Sequence, residues 1–124
     1  MKKIAFVTGA TSGIGEAIAR ILAPDHALII CGRRKERLDR LATELNSMTE
    51  VYPLTFDVSK AEEVNEAIGS LPAEWKEVAV LVNNAGNAHG LDPIENGSLD
   101  DWDAMIDINV KGLLYVSKAV LPKA

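Results

Sequence analysis

The residues best suited to chemistry in this chain form a short glycine-rich segment near its amino terminus. Residues 8–15 read Thr-Gly-Ala-Thr-Ser-Gly-Ile-Gly, with glycines at Gly9, Gly13 and Gly15. A glycine after a strand allows a tight turn, and glycines that open a helix let the backbone approach a phosphate closely. The N–H groups and positive dipole end of that helix attract the phosphate, and the hydroxyls of Thr11 and Ser12 offer further donors. The segment predicts the phosphate-binding loop of a dinucleotide site, although its spacing is G-x-x-x-G-x-G and an ordinary glycine turn is the alternative.

An arginine pair follows the second apolar run and bears on which dinucleotide would fit. The chain reads Cys31-Gly32-Arg33-Arg34 at this point and has no acidic residue there. Sites that prefer NAD place an Asp or Glu at the end of the second strand to bond the ribose 2′-hydroxyl, whereas an arginine accommodates the 2′-phosphate of NADP. The absent carboxylate therefore favours NADP over NAD, with a solvated run of charge as the alternative for Arg33. Cys31 is expected to be a buried small residue.

Two further groups of residues follow the third and fourth apolar runs. Asp57 and Val58 offer a carboxylate and an apolar contact for an adenine ring, and a plain strand-to-helix turn accounts equally well for them. The sequence Asn-Asn-Ala-Gly at residues 83–86 offers side-chain amides that can tie down neighbouring backbone. The carboxyl ends of parallel strands open toward one crevice, where ligands bind in open α/β sheets. We therefore expect all four groups at one edge of a sheet.

The elements that must position these residues alternate between strand and helix. Four apolar runs predict strands, at residues 3–8, 27–31, 51–56 and 78–82. Helical spacing or capping patterns predict helices, at residues 13–23, 34–46, 59–68 and 98–121. This alternation predicts a Rossmann-type, doubly wound parallel α/β sheet in three layers, with the order βαβαβαβα.

Three details sharpen the prediction of the sheet and its helices. Pro53 lies within the third apolar run and indicates an edge strand, because proline cannot donate a hydrogen bond to a neighbouring strand. Ser59-Lys60-Ala61-Glu62 is a capping-box pattern that predicts the start of the third helix. The first, second and fourth runs are apolar without alternation, as expected for strands that helices cover on both faces.

Composition excludes several classes of protein. The 124 residues suit one domain over residues 1–124, and the 48% hydrophobic and 25% charged content indicates a folded globular chain. The net charge of −5 gives no basic excess for nucleic acid, and no apolar run is long enough to span a membrane. No residues have metal-ligand spacing. The single cysteine excludes an intramolecular disulfide and, with no signal-peptide pattern, favours a cytoplasmic location.

Taken together, these motifs resemble the short-chain dehydrogenase/reductase family over essentially the whole chain. The resemblance rests on Thr-Gly-x-x-x-Gly-Ile-Gly at residues 8–15, Asp57-Val58, Asn-Asn-Ala-Gly at 83–86 and Asn-Val-Lys-Gly at 109–112. It implies an oxidoreductase that transfers a hydride between NADP(H) and a hydroxyl or carbonyl carbon. Within the family, residues 70–75 and 101–107 resemble NADP-dependent enzymes that oxidise serine, allo-threonine and related 3-hydroxy acids.

The resemblance also implies which residues bind the cofactor. They are Gly9, Thr11, Ser12, Gly13, Ile14, Gly15, Arg33, Arg34, Asp57, Val58, Asn84, Ala85 and Gly86. Asn109 matches the catalytic Asn of the family, which holds a water in a proton relay. The catalytic Ser and the Tyr-x-x-x-Lys pair have no match, because in the family they follow a fifth strand, beyond the position of Ala124. Tyr115 and Lys118 are three residues apart instead of four, so we interpret them as ordinary helix residues.

These missing catalytic residues leave three interpretations of the chain. In the first, the chain is the cofactor-binding half of an NADP-dependent oxidoreductase and is not catalytic alone. In the second, it is a nucleotide-binding module without chemistry. In the third, it is a non-functional truncated fragment. The sheet of the family continues beyond the fourth strand, so a chain that ends after the fourth helix would leave residues 78–82 as an apolar edge. Such edges invite pairing or swapping. We therefore expect a homo-oligomer or a domain-swapped assembly, with NADP(H) and a small-molecule substrate as ligands.

Overall fold

Strands and helices alternate along the chain in the computed structural model, which describes residues 2–84 and 111–121. The strands are β1 (Ile4–Val7), β2 (Ala27–Gly32), β3 (Val51–Thr55) and β4 (Val78–Val82). The helices are α1 (Gly13–Leu22), α2 (Lys35–Leu45), α3 (Ala61–Gly69) and α4 (Gly112–Val120), with a short 3₁₀ turn at Ala73–Trp75. The predicted start of the fourth helix at Ser98 lies outside the described residues. None of the helices in the described ranges is long and apolar enough to cross a membrane.

The four strands form one parallel sheet in the order β3-β2-β1-β4. β1 pairs with β2 on one side, where Ile4 lies opposite Ala27, and with β4 on the other, where Ala5 lies opposite Val80. Among the described strands, β3 pairs with β2 alone. The predicted edge position of the strand that contains Pro53 is therefore confirmed.

Helices cover the two faces of this sheet, so the chain forms three layers. Side chains of β1 alternate between two cores: Ile4 and Phe6 face one core, and Ala5 and Val7 face the other. The first core also holds side chains of α3 and α4, namely Val64, Ile68, Val116, Ala119 and Val120. The second core holds side chains of α1 and α2, namely Ala19, Leu38, Leu41, Ala42 and Leu45. The arrangement confirms the predicted Rossmann-type, doubly wound α/β fold.

Burial on both faces is confirmed for β1 and β2 and is partial for β4. Every residue of β1 is buried, as are residues 27–31 of β2. In β4, Val78 is buried, Ala79 is exposed and the next three residues are half-buried. Side chains of β4 still pack against both cores, Leu81 against the first and Val80 and Val82 against the second. They are less buried than those of β1 because, within the described part of the chain, β4 has a neighbouring strand on one side only.

The start of α3 corrects the predicted capping box. The helix begins at Ala61 with Lys60 as its N-cap, and the Lys60 side chain forms no cap hydrogen bond with the described residues. Ser59 instead faces back toward β3, where its Oγ and its N–H donate to Oδ1 of Asp57 at 2.7 and 2.9 Å. Turns of this kind let an aspartate carboxylate replace a backbone acceptor. The Ser59 hydroxyl therefore orders the end of β3, not the start of the helix.

Candidate functional site

The glycine-rich segment forms a tight turn between β1 and α1. Gly9 has a φ of 60°, in the left-handed region that residues with a Cβ rarely adopt. Ser12 is the N-cap of α1: its Oγ accepts a hydrogen bond from the N–H of Gly15 at 3.3 Å and donates to the carbonyl of Gly9 at 2.8 Å. The Ser12 hydroxyl thus stabilises the loop itself in this structure, whereas the sequence predicts it as a donor to a phosphate.

Two glycines of this loop have opposite surroundings. A Cβ on Gly15 would lie 2.0 Å from the carbonyl oxygen of Gly9 and 2.6 Å from Nδ2 of Asn84, so no side chain fits there. A Cβ on Gly13 would meet no heavy atom within 4 Å, so open space lies beside the first residue of α1. An α-helix leaves its first N–H groups without carbonyl partners in the helix. Here the N–H of Gly15 donates to Oγ of Ser12, so the N–H groups of Gly13 and Ile14 are the ones left without a partner among the described residues. The loop therefore combines a closed, fixed turn with two donors next to open space.

Asn84, which follows β4, holds the loop in place. Its Nδ2 donates to the carbonyl of Gly9 at 3.2 Å and to Oγ of Ser12 at 3.0 Å. Its N–H donates to Oγ1 of Thr8 at 3.0 Å, and the N–H of Thr8 donates to the carbonyl of Val82 at 3.0 Å. The prediction that an amide of this segment ties down neighbouring backbone is confirmed for Asn84.

The preceding residue, Asn83, contacts the opposite side of the sheet. Its Nδ2 donates to Oγ of Ser117 on α4 at 3.3 Å. Two consecutive asparagines therefore connect the end of β4 to the loop and to a helix. Sequence reasoning missed Ser117, because a serine within a helix belongs to no motif and only the fold shows that Asn83 is its neighbour.

The carboxyl end of β2 lies against the glycine-rich loop. The N–H of Ala10 donates to the carbonyl of Cys31 in β2 at 3.0 Å. A Cβ on Gly32 would lie 3.4 Å from Oγ1 of Thr11, which is an ordinary contact distance. Arg33 and Arg34 come next and are exposed. The structure therefore brings the arginine pair to the same edge of the sheet as the loop.

The carboxyl end of β3 carries an aspartate with a lowered pKa. Partial burial alone would raise the pKa of Asp57, but the hydrogen bonds from the Ser59 hydroxyl and N–H and the charges of Arg33 and Lys60 outweigh it and hold the pKa below its usual value. The N–H of Asp57 also donates to Oε1 of Glu63 at 3.2 Å. The N–H of Phe56 donates to the carbonyl of Gly32 at 3.1 Å, so the ends of β2 and β3 are direct neighbours. The described site residues thus come from four strand ends at one edge of the sheet.

The remaining candidate residues have simpler surroundings. Val58 is buried in the first core, and burial raises the pKa of the Cys31 thiol well above its usual value, which confirms Cys31 as a buried small residue. On α4, Tyr115 packs against the first core and Lys118 is exposed, as expected for ordinary helix residues. Three predicted site residues lie outside the described residues, namely Ala85, Gly86 and Asn109. Within residues 2–84 and 111–121, no group of three or more His, Cys, Asp or Glu side chains could hold a metal ion.

Comparison with known sequences identifies relatives along the whole chain. A family model described as short chain dehydrogenase matches residues 3–124. The NADP-dependent 3-hydroxy acid dehydrogenase YdfG of Escherichia coli strain K12 is 47% identical over 120 residues, which cover 96% of this chain and 48% of that protein. Sulfoacetaldehyde reductase 2 of Chromohalobacter salexigens is 46% identical over 123 residues, which cover 98% of this chain and 49% of that protein. The chain therefore spans about half the length of the curated relatives it matches.

Solved structures show the same fold. Serine dehydrogenase from Escherichia coli superposes with a TM-score of 0.90 at 46% identity, over 97% of this chain and 55% of that one. The closed form of serine dehydrogenase complexed with NADP⁺ gives a TM-score of 0.87 at 46% identity, over 97% of this chain and 48% of that one. An alcohol dehydrogenase from the archaeon Thermococcus sibiricus, complexed with 5-hydroxy-NADP, gives a TM-score of 0.92 at 39% identity, over 99% of this chain and 53% of that one. The four-stranded sheet described above is thus shared with proteins about twice as long.

Proposed function

The chain belongs to the short-chain dehydrogenase family, and we propose that it forms the NADP-binding part of an oxidoreductase of that family. The observation that carries the proposal is the contrast between two glycines of the loop. Gly15 is enclosed by Gly9 and Asn84, which fixes the turn, whereas Gly13 faces open space. A fixed turn that leaves the amino terminus of a helix accessible is the arrangement that a pyrophosphate requires. We therefore place the pyrophosphate of NADP beside Gly13 and Ile14.

The preference for NADP rests on the end of β2. Gly32 and Arg33 stand where a site for NAD has an acidic residue for the ribose 2′-hydroxyl. Arg33 is exposed, and a guanidinium binds a phosphate through paired hydrogen bonds, so the 2′-phosphate is assigned to Arg33 and Arg34. Curated relatives are named as NADP-dependent, which supports this choice. The adenine is assigned to Asp57 and Val58 at the end of β3.

The reaction that we propose belongs to the whole protein of which this fold is the cofactor-binding part. The bound cofactor would supply the redox chemistry, in which NADP⁺ accepts a hydride from a hydroxyl carbon or NADPH donates one to a carbonyl carbon, and the substrate is a small hydroxyl or carbonyl compound. The relatives are named for a 3-hydroxy acid and for sulfoacetaldehyde, and we favour a 3-hydroxy acid such as serine or allo-threonine. Ala85 and Gly86 are placed along the cofactor, and Asn109 is proposed to hold a water. The chain is proposed to bind NADP without turning substrate over alone.

The free side of β4 supports the proposal that the chain associates through this strand. Among the described strands β4 has β1 on one side only, Ala79 is exposed, and Val80 and Val82 are half-buried. An apolar strand edge readily pairs with another strand. We propose pairing within a homo-oligomer or a domain-swapped assembly. A single monomeric species in light scattering at micromolar concentration would refute this part of the proposal.

Titration of the chain with NADPH, followed by the fluorescence of the cofactor, tests the binding site. We expect saturable binding that Gly13→Ala weakens about tenfold or more, because the methyl group occupies the space proposed for the pyrophosphate and displaces it from a backbone N–H, at the cost of about one charge-assisted hydrogen bond. The alanine methyl enters space that no protein atom occupies, so the fold stays intact and the better helix propensity adds up to about 1 kcal/mol to stability. Gly69→Ala in α3 is the matched control, because a Cβ on Gly69 also meets no heavy atom within 4 Å.

Four results would contradict the proposal. Equal NADPH affinity in Gly13→Ala and the wild type would place the pyrophosphate elsewhere. If Gly69→Ala weakened NADPH binding as much as Gly13→Ala, the effect of Gly13→Ala would not be specific to the loop. An unchanged fluorescence up to millimolar NADPH would refute cofactor binding and favour the non-functional fragment. Measurable dehydrogenase turnover by the chain alone would refute the claim that it is not catalytic alone.

A further inference from the structure

The two outer strands of the sheet differ in what they offer to another strand. Among the described strands, β3 and β4 each have a neighbour on one side only. The unpaired N–H and C=O groups of such a free side can pair with a strand of another molecule, and proteins prevent this with proline and with charged side chains. The chemistry of each free side therefore decides where a second chain can add.

The free side of β3 has no donor at its centre. The N–H of Leu28 donates to the carbonyl of Glu50 at 2.9 Å, so Glu50 faces β2. Successive residues of a strand direct their backbone groups to alternate sides, which turns Val51, Pro53 and Thr55 to the free side. Pro53 has no N–H, so the two remaining donors are about 13 Å apart at a rise of about 3.3 Å per residue.

Acidic side chains also border β3. Glu63 and Glu66 line the groove between β3 and α3, and Glu50 directly precedes the strand. Lys60 pairs with Glu63 at 3.5 Å, whereas Glu50 and Glu66 form no ion pair within the described part of the chain. Two copies of this edge would bring like charges together, which opposes their pairing.

The free side of β4 has neither protection. All residues of β4 are apolar and uncharged. The N–H of Thr8 donates to the carbonyl of Val82 at 3.0 Å, so Val82 faces β1 and the backbone groups of Leu81 face the free side. Residues of this kind exchange both N–H···O bonds in an antiparallel pair, so Leu81 can pair with Leu81 of a second copy.

An exposed apolar face of α1 lies on the same side of the molecule as β4. Arg20 contacts Glu44 of α2, and α2 packs against β2 and β3, so the opposite side of α1 is the side of β4. An α-helix turns about 100° per residue, which places Ile14 and Ile21 on one line, at least about 100° round α1 from Arg20. Their side chains are 71% and 74% exposed. Apolar side chains grouped beside an apolar strand are typical of a surface that another chain covers.

We propose that β4 pairs antiparallel with β4 of a second copy around a twofold axis at Leu81, and that Pro53 stops the sheet from growing further. The inference rests on the proposed association through β4 and deepens it by naming the partner and the limit. The axis is perpendicular to the sheet, so the apolar faces of the two α1 helices meet on one side of it. Only β3 edges then remain free, and the assembly closes at two chains.

Light scattering after gel filtration tests the contact surface. At micromolar concentration we expect the wild type at about twice the 13.4 kDa of one chain. Ile21→Glu should give the mass of one chain, because pairing would bury a carboxylate without a partner. Ile21 is exposed, so the substitution leaves the core intact. Met48→Glu is the matched control: Met48 is also exposed and lies in the turn between α2 and β3, and this variant should stay dimeric.

The same measurement tests the role of Pro53. Pro53→Val adds the missing N–H to the free side of β3, so β3 of one dimer pairs with β3 of the next, and we expect species larger than a dimer whose mass grows with concentration. Thr55→Val is the control, because it makes the same side more apolar without adding a donor. This variant should stay dimeric.

The results separate this inference from the association on which it rests. A monomeric wild type refutes both. A wild-type species larger than a dimer overturns the inference alone, as does a dimer that persists in Ile21→Glu or in Pro53→Val. Equal growth of Thr55→Val and Pro53→Val also overturns it, because apolar surface would then explain the effect. The NADPH titration bears on the cofactor site and not on this surface.

Discussion

Gly15→Ala places a methyl group at the point of the loop where backbone surrounds the residue. The new Cβ would lie 2.0 Å from the carbonyl oxygen of Gly9 and 2.6 Å from Nδ2 of Asn84, whereas carbon atoms in contact are normally about 3.5–4.0 Å from their neighbours. Neither neighbour moves easily. Gly9 is held in a left-handed turn, and the Asn84 amide donates to both Gly9 and Ser12.

The expected loss of stability in Gly15→Ala follows from these contacts. Overpacking of a closely packed position costs about 1–3 kcal/mol, and displacement of the Asn84 amide removes two hydrogen bonds worth about 0.5–1.5 kcal/mol each. The better helix propensity of alanine offsets up to about 1 kcal/mol. We therefore expect the free energy of unfolding to fall by about 1–6 kcal/mol.

Urea unfolding followed by circular dichroism measures this change. Gly15→Ala should have a lower midpoint at an unchanged slope, and Gly13→Ala, two residues away in the same loop, should have a midpoint no lower than the wild type. A Gly15→Ala midpoint equal to that of the wild type would refute the reasoning, because it would mean that the loop yields without loss of its hydrogen bonds. Equal destabilisation by both substitutions would refute it as well, since open space beside Gly13 predicts a difference.

Three other residues give shorter predictions. Gly32→Asp adds a carboxylate at the end of β2, and its Cβ would come no closer than 3.4 Å to another atom, so the substitution should shift fluorescence-measured affinity from NADPH toward NADH. An unchanged ratio of the two affinities would contradict the proposed place of the ribose. The lowered pKa of Asp57 means that its ionised form stabilises the fold above the unfolded pKa of about 3.9, and that this contribution disappears as the pH falls through the folded pKa. The difference in the free energy of unfolding between the wild type and Asp57→Asn should therefore shrink in acid. A difference that grew in acid would be inconsistent with the lowered pKa. Burial of Cys31 predicts that a thiol reagent modifies it only as the chain unfolds in urea, so rapid modification of the native protein would contradict its burial.

Local patterns in the sequence predict the sheet, its helices and the edge that carries the site. Proline at residue 53 indicates an edge strand from its chemistry alone, and the glycines between the first strand and helix indicate the turn. Periodicity does not show which residues from distant elements meet. The bond from Asn84 to Ser12 spans 72 positions and that from Asn83 to Ser117 spans 34, so both depend on how strands and helices come together. Ser59 shows that a local pattern can also predict the wrong contact. The capping-box pattern indicated that its hydroxyl caps a helix, but the hydroxyl donates to the Asp57 carboxylate instead.

The central position of β1 has a consequence for how the chain folds as it leaves the ribosome. Of the four described strands β1 is synthesised first, yet it lies between β2 and β4, and the loop that follows it is held by Asn84, 75 positions beyond Gly9. A nascent chain that has emerged only as far as α3 has one side of β1 without its native partner and lacks the amide that holds the loop. When residues 78–84 emerge, β4 pairs with the open side of β1 and the Asn84 amide binds the loop. A pause in translation before that point therefore leaves a strand edge open to chaperones and to neighbouring nascent chains, and the loop takes its final form only when that edge is closed.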